Sequence, residues 1–158
     1  DKDAVTASML LTEMAAWYAA QGMTLFDALN ALYEKYGWYA EKTHNLVMPG
    51  LDGLRDMAKL MKDLRENPPA EISGVNVVVR KDYTDGSVID CATGAKTTME
   101  LSGSNVLRYE LADGTVILVR PSGTEPKIKV YILTKGTDSA DAAANIEKYG
   151  KWVAGLKP

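Results

Sequence analysis

Apolar residues recur along the chain with two different periods, and the change falls near Pro69. Before it the pattern is helical. Residues 4–20 are rich in Ala, Leu, Met and Glu and hold neither Gly nor Pro, which predicts a first helix stopped by Gly22. Thr24 then opens a second helix, with Asp27 three residues on, close to a capping box. Leu25, Leu29, Leu32, Tyr33 and Tyr36 give that helix one apolar face, and Gly37 ends it. Two helices on so short a turn should pack together, yet they are too little to make a domain. Residues 38–50 read as irregular. A third helix is expected over about 51–66, with Leu54, Met57, Met61 and Leu64 as its buried stripe and Asn67-Pro68-Pro69 as its end.

Beyond Pro69 apolar residues alternate. Val75, Val77 and Val79 predict a strand, and Leu107, Tyr109 and Leu111 another. Asp113-Gly114 signals a hairpin, with Thr115 to Val119 as its return. Ile128, Val130 and Ile132 alternate with Lys129, Tyr131 and Leu133 in a further strand. Residues 81–104 are polar and turn-rich, with a short strand at Val88-Ile89. Gly136 to Ser139 should cap a final helix whose core face is Ile146, Tyr149, Val153 and Leu156. The expected fold is α+β: a helical N-terminal segment, then a two-layer antiparallel sheet with helices on one face. The expected division is 1–40 for the helical segment, 41–50 for a linker and 51–158 for the sheet domain.

The bulk numbers narrow the function classes. In 158 residues, 46% are hydrophobic, 25% are charged, and the formal net charge is -3. This is a globular composition, and the missing basic excess counts against a nucleic-acid partner. A saddle-shaped sheet binding nucleic acid is disfavoured for the same reason. The apolar runs, such as 9–11 and 116–119, fall far short of the roughly 20 residues that span a bilayer. A single cysteine, Cys91, cannot pair within the chain, which fits a cytoplasmic setting. The chain opens on Asp1-Lys2-Asp3 without an initiator methionine, which leads us to expect a piece of a longer protein.

Candidate chemistry concentrates in Arg120-Pro121-Ser122-Gly123-Thr124-Glu125-Pro126-Lys127, between two expected strands. Arg120 offers a planar fork of donors suited to paired phosphate oxygens. Ser122 and Thr124 offer hydroxyls. Gly123 permits a turn closed to other residues and lets main-chain N–H groups approach an anion. Pro121 and Pro126 stiffen the shoulders, so a ligand orders less chain. Lys127 and Lys129 lie two apart on a strand and should share a face. No GxxxxGK is present, and a strand follows where a phosphate-binding helix would stand, so side chains and amides must supply the attraction. A shorter Arg-x-Ser-Gly-Thr would be equally well read as an ordinary turn.

The full string, with the Ile-Lys-Val-Tyr that follows, resembles the phosphate-binding loop in the fourth domain of the α-D-phosphohexomutases. Asp1 to Val5, Glu13-Met14-Ala15-Ala16, and Thr24-Leu25 with Tyr33 to Gly37 resemble the end of that family's third domain. They look closest to the phosphoglucomutase branch that includes phosphopentomutases. The resemblance implies a TBP-like fourth domain in which Arg120, Ser122, Gly123 and Thr124 contact the phosphate of a bound phosphosugar. Lys129 stands where related sequences often carry Arg, and Lys127 is adjacent. Glu125 is expected to brace the loop by pairing with a nearby cation, because a carboxylate facing phosphate would repel it. The family's serine loop, Asp-Gly-Asp-x-Asp-Arg metal loop and Gly-Glu-Glu-Ser sugar loop do not occur in this chain. The phosphoryl donor, Mg2+, hexose bisphosphate and sugar-hydroxyl readers would therefore belong to the N-terminal domains of a parent phosphoglucomutase or phosphomannomutase. This piece alone should be inert, with no catalytic residue and no metal ligand. The competing reading is a stand-alone phosphate-binding or interaction module without catalysis.

Other residues carry weaker signals. His44, the only histidine, could shuttle protons, but a lone histidine more often packs or lies on the surface. Cys91 has no histidine near it in sequence to activate it. Trp17, Tyr18, Trp38 and Tyr39 read as packing residues. Asp1 and Asp3 read as frayed terminal residues before they read as metal ligands.

Overall fold

The computed structural model describes residues 2–157, which form two compact units that divide after Trp38. The first unit is two helices. α1 (Ala4–Ala19) starts at Asp3, whose carboxylate accepts from the Thr6 N–H at 2.9 Å. Asp3 is thus an N-cap and not a frayed end, while Asp1 lies outside the described residues. α2 (Leu25–Tyr36) carries the expected capping box between Thr24 and Asp27. α1 buries none of its residues, and α2 buries only Ala28. Trp17 is 60% exposed, so the packing role expected for it is not fulfilled within the unit. Trp38 stacks on Tyr33, ring centroids 5.2 Å apart.

The second unit is a sheet under two helices. Its elements are β1 (Trp38–Val47), α3 (Gly53–Glu66), β2 (Glu71–Ile72), β3 (Val75–Asp82), β4 (Ser87–Asp90), β5 (Lys96–Thr98), β6 (Leu107–Leu111), β7 (Val116–Pro121), β8 (Lys127–Gly136) and α4 (Ser139–Gly155). The strands run β1-β8-β7-β6-β3-β4-β5, and β2 pairs with β3. Alternation decides the inward face. Ile117, Val119, Ile128, Val130 and Ile132 are completely buried, and Leu107, Tyr109 and Leu111 nearly so. Cross-strand pairs such as Ile117–Ile132 and Val119–Val130 put them on one face. α3 and α4 cover that face with Leu60, Met61, Leu64, Ile146, Tyr149 and Val153. The Tyr109 hydroxyl donates to the Leu64 carbonyl at 3.0 Å, tying β6 to α3.

Four expectations need correction. The stretch read as irregular, including most of the expected 41–50 linker, is strand β1 beside β8. Its polar Glu41 to Asn45 hid the signal, because an edge strand need only half-bury alternate residues, here Ala40, His44 and Leu46. Leu54 is 63% exposed, and Leu60 takes its place in the α3 stripe. The turn-rich stretch from 81 holds the end of β3 together with β4 and β5. Finally, the Val75-Val77-Val79 alternation is broken by an irregularity between Val77 and Val79. Val77 pairs with inward Leu111, whereas Arg80 pairs with inward Tyr109, so the bulge carries Arg80 to the helix side.

Candidate functional site

The loop at 122–126 grows out of the β7–β8 hairpin, whose register fixes its cations. Val119 pairs with Val130 and Pro121 with Ile128. Val119, Val130 and Ile128 anchor inward with no exposure, so the intervening pair, Arg120 and Lys129, points to the opposite face. The two cations are direct cross-strand partners, a placement in which like charges repel and Cβ atoms lie about 5 Å apart. An anion bridging them would convert that repulsion into attraction. Neither enters any ion pair among the described residues, in contrast to the cations at Arg65, Lys81 and Arg108. Arg120 is exposed and Lys129 half-buried.

The loop holds itself in shape. The Ser122 N–H donates to the Lys127 carbonyl at 2.8 Å, and the Lys127 N–H donates to the Glu125 carbonyl at 2.7 Å. The Thr124 N–H makes only a long contact of 3.4 Å to the Ser122 hydroxyl oxygen. The Gly123 and Glu125 N–H groups donate to no backbone carbonyl among the described residues. The tip therefore presents amides and two hydroxyls beside the Arg120–Lys129 pair. The expectation that Gly123 supplies a turn forbidden to other residues is not met, since it is absent from the positive-φ glycines. A Cβ there would meet nothing within 4 Å, so the packing of the loop itself does not demand glycine at this position.

Lys127 and Glu125 form an ion pair, which is the bracing expected of Glu125. Its hydrogen bond and charge hold the Glu125 carboxyl below the usual carboxylate range, with a smaller contribution from Lys129. Lys127 is thereby committed within the loop, so Arg120 and Lys129 are the better cations for a ligand.

Sequence reasoning missed the support beneath the loop. The Met48 N–H donates to the Pro126 carbonyl at 2.9 Å, fastening the far shoulder to the corner after β1. Gly53 opens α3 beside it. A Cβ on Gly53 would collide with the Met48 carbonyl oxygen and stand 3.0 Å from Pro126 Cβ. The α3 N-terminus thus lies at the loop, but Asp52 at the N-cap position and Asp56 in the first turn offset the positive end of the helix. The signal available in sequence was a glycine placed at the very start of a helix.

The remaining candidates lie away from the loop. His44 packs on the helix side of β1 against Gly150. Cys91 is exposed, and the Lys135 ammonium sits over Tyr39, 5.4 Å from its ring centroid. Among the described residues no three His, Cys, Asp or Glu side chains gather closely enough to hold a metal ion. No helix among them is long and apolar enough to cross a membrane.

Residues 45–148 match the family described as the phosphoglucomutase/phosphomannomutase C-terminal domain. A phosphoglucomutase of Staphylococcus aureus strain N315 is 36% identical over 146 residues, covering 92% of this chain and 26% of the relative. That of strain USA300 is 34% identical over the same length. The chain thus spans about a quarter of the relatives it matches. A solved structure of parafusin, an exocytosis-sensitive phosphoprotein (a phosphoglucomutase) from Paramecium in its open form, aligns over 84% of this chain and 23% of its own. Its identity is 16% and its TM-score 0.44.

Proposed function

Since the chain belongs to the phosphoglucomutase/phosphomannomutase C-terminal domain family, we propose that its 120–129 hairpin holds the phosphate of a phosphosugar in a larger phosphosugar mutase. The observation that carries this reading is the cross-strand pairing of Arg120 with Lys129 at the root of a loop whose tip amides are uncommitted. The Arg120 fork and the Lys129 ammonium neutralise the phosphate from two strands. The Ser122 and Thr124 hydroxyls and the Gly123 N–H complete its shell. Lys127 keeps Glu125 from the anion.

The role is positioning. A phosphate gripped at one end of the sugar fixes the reacting hydroxyl at the other, and charge neutralisation lowers the cost of bringing in a second phosphoryl group. The sugar is a hexose phosphate, glucose 1-phosphate first and a mannose or pentose phosphate next, because each presents the same phosphate to this loop. The phosphoserine, Mg2+ and bisphosphate intermediate belong to other domains of the parent protein, which acts in the cytoplasm.

Titration of the chain with glucose 6-phosphate, followed by backbone amide NMR, tests the assignment. Saturable shifts should centre on residues 120–129 and disappear in Arg120→Ala. Unchanged affinity in that variant would refute it.

A further inference from the structure

The face of the sheet turned away from α3 and α4 carries more than the Arg120–Lys129 pair. Tyr131 follows Lys129 two residues on, so it shares that face, about 7 Å further along the strand. Its cross-strand partner on β7 is Leu118, and both are half-buried. Tyr109 and Tyr149 lie on the helix side and donate to Leu64 and Asp113. Tyr131 instead sets its ring on the open side.

β1 closes the other flank. It lies beside β8, tied at one end by the Met48 N–H on the Pro126 carbonyl and at the other by the Lys135 ammonium over Tyr39. The two strands run the same number of residues between these ties, in opposite directions, which places Thr43 opposite Tyr131. Facing is fixed independently. Lys42 pairs with Glu147 of α4 at 3.3 Å, and His44 packs on Gly150. Glu41 and Thr43, which alternate with them, therefore point to the open side. A cavity of about 330 Å³ is lined by Glu41, Thr43, Tyr131 and Leu133, together with Lys42 and Ile132. No residue of α4 lines it, so it lies on the open face.

Resting on the phosphate assignment above, we propose that this cavity is the sugar subsite for the same ligand. The ring of a phosphosugar anchored at Arg120 and Lys129 lies on Tyr131, and Thr43 and Glu41 take its hydroxyls. Spacing and chemistry agree. The step from Lys129 to Tyr131 is comparable to the distance from a sugar phosphate to its ring centre. The carbon–hydrogen face of a pyranose is apolar and gains by covering an aromatic ring, and Leu118 extends the platform. The Thr43 hydroxyl can donate and accept, and the Glu41 carboxylate accepts from hydroxyls. Glu41 stands on the row of Leu133, about 13 Å along the strand from Lys129, too far to oppose the phosphate. The ligand class is a polyhydroxylated ring with a phosphate at the loop end.

Amide NMR of the chain with glucose 6-phosphate, and with methyl phosphate as the bare monoester, tests the subsite. Methyl phosphate should shift residues 120–129 alone. Glucose 6-phosphate should also shift 41–43 and 131–133, and bind at least about fivefold more tightly. Tyr131→Leu, which keeps an apolar side chain in the strand, should remove that advantage and leave methyl phosphate affinity unchanged. Tyr131→Phe should retain it. Thr43→Val should weaken glucose 6-phosphate about threefold without touching methyl phosphate. Equal affinities for the two ligands, or an advantage undiminished in Tyr131→Leu, would overturn the subsite while the phosphate assignment stands. Absence of shifts at 120–129 with both ligands would overturn the two together.

Discussion

The Tyr149 hydroxyl of α4 donates to a carboxylate oxygen of Asp113 in the β6–β7 turn. Asp113 also accepts from the Thr115 N–H at 2.9 Å, so one carboxylate closes the hairpin and fastens the last helix over it. Burial alone would raise the Asp113 pKa, but the bonds from Tyr149 and Thr115 outweigh it and hold the group below its ordinary 3.8. Burial, reinforced by Asp113, pushes the Tyr149 phenol up, so it remains a donor across the working pH range.

A depressed folded-state pKa contributes stability that is fully present above the unfolded value and lost as pH falls through the folded one. The Asp113 contribution should therefore be intact at neutral pH and vanish in strong acid, below 3.8. In urea denaturation, Asp113→Asn should be less stable than the parent at neutral pH, and the gap should narrow as the pH falls below 3.8. Tyr149→Phe should cost about 1–3 kcal/mol, the range for removing a partner of a charged hydrogen bond. A gap that widens on acidification would contradict the sign.

Two glycines on helices should respond differently to alanine. At Gly53 the added Cβ meets the backbone carbonyl of Met48, which cannot move without shifting the corner that supports Pro126. A loss of about 3 kcal/mol is expected in chemical denaturation, together with weaker phosphosugar binding. At Gly150 the Cβ would stand 3.1 Å from His44 Cε1, and a side chain can give way by the few tenths required. Alanine there gains about 1 kcal/mol of helix propensity, so stability should stay near the parent's.

Removal of Arg120 should separate folding from binding. The residue is exposed and relieves a like-charge pair when lost, so Arg120→Ala should fold with unchanged or slightly higher stability. Its phosphosugar affinity should fall by about 2–5 kcal/mol, as for one partner of a hydrogen-bonded charge pair. Calorimetric titration gives the second number and thermal denaturation the first.

Lys129 and Lys127 should differ although they sit two residues apart. Lys127 is held by Glu125, whereas Lys129 faces Arg120. In the same titration Lys129→Met should weaken phosphosugar binding severalfold more than Lys127→Met. Equal losses would mean that the Glu125 pair opens when ligand arrives.

The 158-residue chain should not turn over glucose 1-phosphate in a coupled assay. Activity that follows the protein through purification would mean that the reacting groups lie within it.

Local period was enough to set much of this fold. Strict alternation in 107–111, 116–119 and 128–132 announced strands and named their buried side, because each residue's face follows from its place in the pleat. The stripe of α4 and the 120–127 loop were legible for the same reason, that their information lies within a few consecutive residues. The rest depended on partners distant in sequence. Polar 41–45 became a strand only because β8 offered it an edge. One extra residue at the Val77–Val79 bulge turned Arg80 inward, and no local pattern marks that shift. The sequence by itself determined that Arg120 and Lys129 stand at the two ends of a loop between strands. Tertiary pairing alone decided that they stand directly opposite each other, because hairpin register is set by how inward neighbours such as Val119 and Val130 pack beneath the helices.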